Sequence, residues 1–318
     1  MELLLLNLAS PVVLAFALGL VARGVRSDLA IPPAIQVYLS IFLLLAIGLK
    51  GGVALRGQDP GVLLLLVLVT LAAGTATTFS AYAITRASLR DSRLDAAAMA
   101  AHYGSVSAVT FIAANQFMER SGAPAEGVMV ALLVVLEVPA LLIGLAMGHR
   151  AQGGKSESHH TLREVFTGKT AILLLGGLAI GAITGPAGIK AVDAMYFALF
   201  QGVLMLFMLD MGMTAAGRLA ALRHGWWRLA LFSTLLPLAH GIVGVLVGHA
   251  CGLSPGGAAV FGTMLSSASY IAAPAAVRAG LPEADVGRCI TASLGITFPF
   301  NLAIGIPLYA GFASWLAA

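Results

Sequence analysis

The sequence predicts an all-α polytopic membrane protein, and three observations carry that prediction. Of its 318 residues 59% are hydrophobic and only 10% charged, whereas a soluble domain carries about 25% charged residues. Apolar segments of about 20 residues recur along the chain, each long enough to cross a bilayer as a helix. Backbone groups in hydrocarbon must be satisfied internally, and runs of this length achieve that as helices rather than as barrel strands.

Ten spans follow in order. Residues 3–22 come after Met1-Glu2, which lacks positive charge, and are too long for a signal-peptide core, so they read as a retained helix. Residues 31–55 carry I-G-L-K-G-G-V-A-L-R (47–56), and 61–86 form the third span. Residues 94–118 contain the polar stretch Y-G-S-V-S-A-V-T (103–110). Residues 124–148 follow G-A-P (122–124) and hold E-V-P-A-L-L-I-G (137–144). The polar segment from Arg150 to Glu164 then divides the chain. Beyond it lie 167–185, 192–215 with M-G-M-T-A-A-G-R (211–218), and 227–252. Residues 257–279 contain S-S-A-S-Y-I-A-A-P (266–274), and 287–314 contain T-F-P-F-N-L-A-I-G (297–305). The expected organisation is a five-helix repeat over 1–149, a cytoplasmic linker over 150–165, and a second five-helix repeat over 166–318. Cys251 and Cys289 lack metal-ligand spacing and read as apolar packing residues.

Positive charge is unevenly shared between the two sides. Only Lys50, Arg56, Arg120 and Lys190 adjoin the loops after even-numbered spans; every other Lys and Arg lies on the opposite side. The bias places the odd loops, including 150–165, in the cytoplasm and both termini outside the plasma (inner) membrane. The net charge of +4 thus reflects topology and gives no case for nucleic-acid binding.

The halves echo one another. G-A-P answers G-L-P (280–282), E-V-P-A-L-L-I-G answers T-F-P-F-N-L-A-I-G, and 103–110 answers 266–274. Five spans is an odd number, so the second half inserts upside down, as in the inverted repeats of many secondary transporters. Gly104 weakens helix four, while Ser105, Ser107 and Thr110 can bond freed backbone groups. Ser266, Ser267 and Ser269 precede Pro274 in helix nine, whose ring removes a helical hydrogen bond. Two such breaks bring half-helix ends together, with N-termini that attract an anion and carbonyls or hydroxyls that suit sodium. Close helix packing through small residues is the other account of these stretches.

The chain resembles the sodium-dependent bicarbonate transporters first associated with cyanobacteria. The resemblance runs through almost all spans, including I-P-P-A-I (31–35), I-G-L-K-G-G-V-A-L-R, Y-G-S-V-S-A-V-T, L-M-L-F-M-L-D-M-G-M (204–213), L-P-L-A-H-G (236–241) and I-G-I-P-L (304–308). It implies a gate domain from spans 1, 2, 6 and 7, and a core domain carrying the broken helices 4 and 9. It also implies a homotrimer, bicarbonate as substrate, sodium as coupling ion with no other cofactor, and regulation of some members by a small cytosolic nitrogen-regulator-type protein. The implied anion site comprises Gly104, Ser105, Val106, Ser107, Ser267, Ala268, Ser269 and Tyr270, and the implied sodium ligands are Ser107, Thr110 and Ser269. His240 also matches. The family usually has Ser at the positions of Val109, Ala268 and Ala272, and Asp at that of Tyr270. Here Lys50, Asp210 and His102 also depart from the pattern, and the middle loop is short.

The intramembrane ionisable residues each admit two readings. Glu137, before Pro139, either orients the core or binds a cation, because membrane carboxylates tend to be functional. Lys50 and Asp210 lie at equivalent points of repeat-related spans and are expected to pair, since an unpaired charge there is costly. His240 reads as a hydrogen-bonded packing residue. His102, close to Gly104, is a candidate to titrate near neutral pH. Tyr103 and Tyr270 either narrow the cavity or pack, and His159 and His160 read as solvated loop residues.

Neither H-E-x-x-H nor G-x-S-G occurs, so no hydrolase site is legible and an enzyme is not expected. The reading is secondary active uptake of a small anion with sodium, by movement of the core against a fixed gate. The alternatives are a sodium- or proton-coupled carrier of a small organic carboxylate, and a transport-inactive sensor or scaffold.

Overall fold

The structure is a computed structural model that describes residues 2–153, 167–220 and 226–318. It is all-helical, with no strand among the described residues. The helices are α1 (Glu2–Leu8), α2 (Pro11–Gly24), α3 (Pro33–Leu55), α4 (Pro60–Leu89), α5 (Arg93–Gly104), α6 (Ala108–Arg120) and α7 (Met129–Ala151). After the polar segment come α8 (Lys169–Ile189), α9 (Phe200–Ala220), α10 (Trp226–Ala250), α11 (Pro255–Ser266), α12 (Ala272–Gly280) and α13 (Val286–Leu316). Eight segments, taking α5 and α6 together, are long and apolar enough to cross a membrane. α2 falls short at 14 residues, and α11 and α12 at 12 and 9.

The element ends follow local chemistry. The apolar run expected as one helix over 3–22 is divided, because Pro11 opens a new helix and the Ser10 hydroxyl accepts from the Val13 N–H at 3.2 Å. Ser92 caps α5 and Ser254 caps α11 in the same way, at 3.0 and 3.1 Å. The span expected over 192–215 begins as α-helix only at Phe200, since the chain first passes through short 3-10 and π turns over Lys190–Val192 and Ala194–Ala198. Before these turns α8 kinks at Gly185, whose φ of +65° is costly for other residues, followed by Pro186.

Glycines build the crossings of α3 with α8 and of α2 with α9. α3 packs on α8 so closely that a Cβ on Gly52 would lie 2.1 Å from the Leu178 carbonyl, and one on Gly181 2.2 Å from that of Leu49. α2 packs on α9 likewise, with Gly19 against Leu209 and Gly212 against Phe16, each at 2.1 Å from the facing carbonyl. Small residues let helix backbones approach where lipid supplies no hydrophobic drive. The remaining long helices gather around the two interrupted pairs. α4 and α7 flank α5, while α10 and α13 flank α11.

Prolines leave carbonyls that other helices take up. Pro237 in α10 cannot donate to the Ser233 carbonyl, and the Thr297 hydroxyl of α13 donates to it at 2.7 Å. The Tyr103 hydroxyl of α5 in turn donates to Thr297 at 2.8 Å. The ends of the bundle are tied as well. Arg288 pairs with the buried Asp91 at 3.0 Å, and the Asp285 N–H donates to Asp95 at 2.9 Å. Burial raises the Asp91 carboxyl above its ordinary value of 3.8, with Arg288 opposing the shift.

The expected pairing of Lys50 with Asp210 is not formed. Lys50 reaches Glu119 at the end of α6 at 2.7 Å, and Asp210 accepts from Gln36 at 2.8 Å. Sequence position puts both residues at matching points of related helices, but helix rotation aims Lys50 outward and leaves Asp210 buried beside an amide. Lys155, Arg163, Arg223, His159 and His160, and with them most of the 150–165 linker, lie outside the described residues.

Candidate functional site where the interrupted helices meet

Two helix interruptions lie against each other. α5 ends at Gly104, the backbone turns extended at Ser105 and Ser107, and α6 begins at Ala108. α11 ends at Ser266, Ser267 is extended, and α12 begins at Ala272. The Ser107 N–H donates to the Ser267 hydroxyl at 2.9 Å, and the Ser269 N–H donates to the His102 carbonyl at 2.8 Å. Each broken strand of backbone therefore satisfies part of the other, as buried polar backbone requires.

The serines have two duties. Ser107 caps α6, its oxygen accepting from the Thr110 N–H at 3.2 Å, and Ser269 accepts from the Ala273 N–H at 3.2 Å. Each oxygen keeps a second lone pair for a ligand. Ser267 donates to the Met264 carbonyl. Ser266 is held by Asn301, whose amide donates to the Ser266 carbonyl at 3.0 Å. Asn301 lies in a π-helical turn of α13 and is not among the site residues that the sequence pattern singles out. Its place in T-F-P-F-N-L-A-I-G was the available signal. Gly104 is required by close approach, because a Cβ there would lie 1.9 Å from the Thr78 hydroxyl of α4.

A small cavity of about 10 Å³ lies at this junction, lined by Val106, Ser107, Glu137, Ser269 and Tyr270. That is about the room of one water molecule. A larger cavity of about 480 Å³ runs from Thr167 and Lys169 to Glu137, Ile271 and Ala272. Glu137, Thr170, Ile271 and Ala272 line both, so they form the partition between vestibule and junction. Glu137 is 4% exposed. Tyr270 packs edge-on against Phe298 at 5.4 Å, with its hydroxyl near Ser107 and Thr110. The hydroxyls of Ser105 and Tyr270 are buried without hydrogen-bond partners among the described residues.

The remaining candidates take structural places. His102 Nδ1 lies 2.7 Å from the Ala98 carbonyl, so that nitrogen carries hydrogen and Nε2 is left without a partner among the described residues. His240 Nε2 lies 2.7 Å from the Ser80 hydroxyl. Tyr103 packs against Phe232 at 5.0 Å, away from the junction cavity. Ala268 is buried. As ligands for a hard cation, Ser107 and Ser269 offer hydroxyl oxygens at the small cavity and Glu137 adds a carboxylate there, whereas Thr110, buried in the first turn of α6, is not among the residues that line it. No group of three His, Cys, Asp or Glu suited to a resident metal ion occurs among the described residues.

Interrupted helices meeting inside an apolar bundle, with a buried polar junction reached by a vestibule, define a membrane protein of transporter type. The chain matches the model of the Na+-dependent bicarbonate transporter superfamily over residues 11–314, nearly its whole length, and belongs to that family. No curated protein matches the chain.

Proposed function

We propose that the protein is a secondary active transporter that takes up bicarbonate with sodium through the junction of the two interrupted helices. The observation that carries this reading is the mutual bonding of Ser107 to Ser267 and of Ser269 to His102. With the breaks joined in this way, the first residues of α6 and α12, Ala108 and Ala272, both line the small cavity, where the partial positive charge of the two N-termini favours an anion. Sodium is then held by the Ser107, Thr110 and Ser269 hydroxyls, with Gly104, Ser105, Val106, Ser267, Ala268 and Tyr270 enclosing the anion. One sodium with one monovalent bicarbonate carries no net charge, so the membrane potential, worth about 2.3 kcal/mol per charge per 100 mV, does no work on the cycle.

In this reading ten membrane segments form two inverted five-helix repeats, 1–149 and 166–318, joined by a cytoplasmic 150–165 linker, with both termini outside the plasma membrane. The packing supports it. The repeat relates α3 to α9 and α8 to α2, and α3–α8 and α2–α9 both cross through glycines. It likewise relates the contacts of α4 and α7 with α5 to those of α10 and α13 with α11. The glycine-crossed four form a gate, and the others a core that slides against it carrying the junction. A homotrimer of gates and a cytosolic regulator complete the expectation from the family resemblance.

The test is uptake of radiolabelled bicarbonate by reconstituted vesicles, with and without an inward sodium gradient and at two pH values. Uptake should follow sodium and ignore an imposed potential, and Glu137→Gln should alter its sodium dependence. Uptake that ignores sodium and follows the proton gradient would sink sodium coupling; transport of organic carboxylates alone would sink bicarbonate.

A further inference from the structure

The vestibule of about 480 Å³ carries two charged side chains among the described residues, Lys169 and Glu137, and they stand at different depths. Glu137 lines the junction cavity as well and is 4% exposed, whereas Lys169 opens α8, lines only the vestibule and is exposed. One wall is a single face of α12, because Ala272, Ala275, Ala276 and Ala279 follow the spacing of successive helical turns. These alanines leave room and bring no polar side chain of their own.

The Lys169 ammonium is drawn toward α3. It donates to the Ser40 hydroxyl at 2.8 Å, and Ser40 donates in turn to the Val37 carbonyl. Ser40 stands one turn before Leu44 on the same face of α3, and Leu44 lines the junction cavity. Ser40 is neutral, and Lys169 forms no ion pair with an Asp or Glu among the described residues. The ammonium therefore keeps its charge, and an ammonium has three N–H groups to give. At the inner end of the same wall lies the N-terminus of α12, whose first residue, Ala272, lines both cavities. The wall thus runs from a partial positive charge at the junction toward a full one in the vestibule.

We infer that Lys169 is the anion-holding residue of the vestibule, a transit site for a small inorganic anion on its way to or from the junction. Recognition there is by charge, so it favours small anions over cations without demanding a shape. That the anion is bicarbonate rests on the proposed transport; the electropositive vestibule does not.

The experiment follows thiol modification of Ala275→Cys, at an exposed vestibule position, in the intact detergent-purified protein, with the unsubstituted protein as blank. Rates are measured with an anionic sulfonatoethyl and a cationic trimethylammonioethyl methanethiosulfonate. Lys169→Gln, at an exposed position that does not threaten folding, should lower the anionic-to-cationic rate ratio about 3- to 10-fold, and Lys169→Arg should keep it. Bicarbonate replacing gluconate, at constant sodium, pH and ionic strength, should slow the anionic reagent saturably, and should lose that effect in Lys169→Gln. A ratio unchanged by Lys169→Gln would overturn the electropositive vestibule. No slowing by bicarbonate, or slowing that persists in Lys169→Gln, would overturn the transit site. Lysine-dependent slowing in a protein whose vesicles take up no bicarbonate would uphold the site and sink the transport reading instead.

Discussion

Thr110 and Asp91 show how differently single side chains act in this molecule. The Thr110 N–H is already bonded to Ser107, so Thr110→Val keeps the cap and the shape and removes only a hydroxyl. If that oxygen binds sodium, apparent sodium affinity should fall about 5- to 100-fold, the equivalent of about 1–3 kcal/mol. Bicarbonate affinity at saturating sodium should change less. Sodium titration of uptake by wild type and variant measures both, and equal curves would reduce Thr110 to packing. Asp91 acts on stability. Its raised carboxyl protonates in the folded protein before it does in the unfolded chain. Between its raised value and 3.8, stability from this group therefore grows as pH falls, and above that window the buried charge is a burden. Melting temperatures of wild type relative to Asp91→Asn should rise on acidification through that window; a flat difference would contradict the burial argument.

At the scale of elements, the interruptions depend on neighbours that sequence spacing does not reveal. α11 ends at Ser266 because Asn301 of α13 takes over its last carbonyl, and the fully buried Asn301 has no water to replace it. Asn301→Ala should destabilise the protein by about 1–3 kcal/mol, and Asn301→Asp, which donates from neither oxygen when ionised, should not rescue it. Thermal unfolding in detergent reads both. The α3–α8 crossing is as demanding. Gly181→Val places a branched side chain against the Leu49 carbonyl, and overpacking of this kind costs about 1–3 kcal/mol. The same substitution at Gly176, which faces open space, should be tolerated.

For the whole molecule the testable matter is orientation. With Cys251 and Cys289 replaced by serine, a cysteine at Ser27 should react with impermeant thiol reagents only from the cytoplasmic side, and one at Gln58 only from outside. The reverse pattern would overturn the proposed topology. Cys289 is buried and Cys251 half-buried, so with or without replacement neither competes strongly with an exposed introduced cysteine for an impermeant reagent.

Composition and pattern were enough to determine helices, the membrane as solvent, and the two polar interruptions. A long apolar run leaves the backbone few choices in lipid, and Gly104, the serine clusters and the nearby Pro274 announce where helix is weakest. Family membership was equally legible, because its motifs are strung along nearly the whole chain. What the tertiary structure decided were the pairings. Lys50 chose Glu119 rather than Asp210, Asn301 closed α11, and Thr297 took the carbonyl that Pro237 freed. Such choices turn on helix rotation and crossing distance. These are set by glycine contacts between segments more than a hundred residues apart, such as Gly48 against Gly177, and no local pattern encodes them.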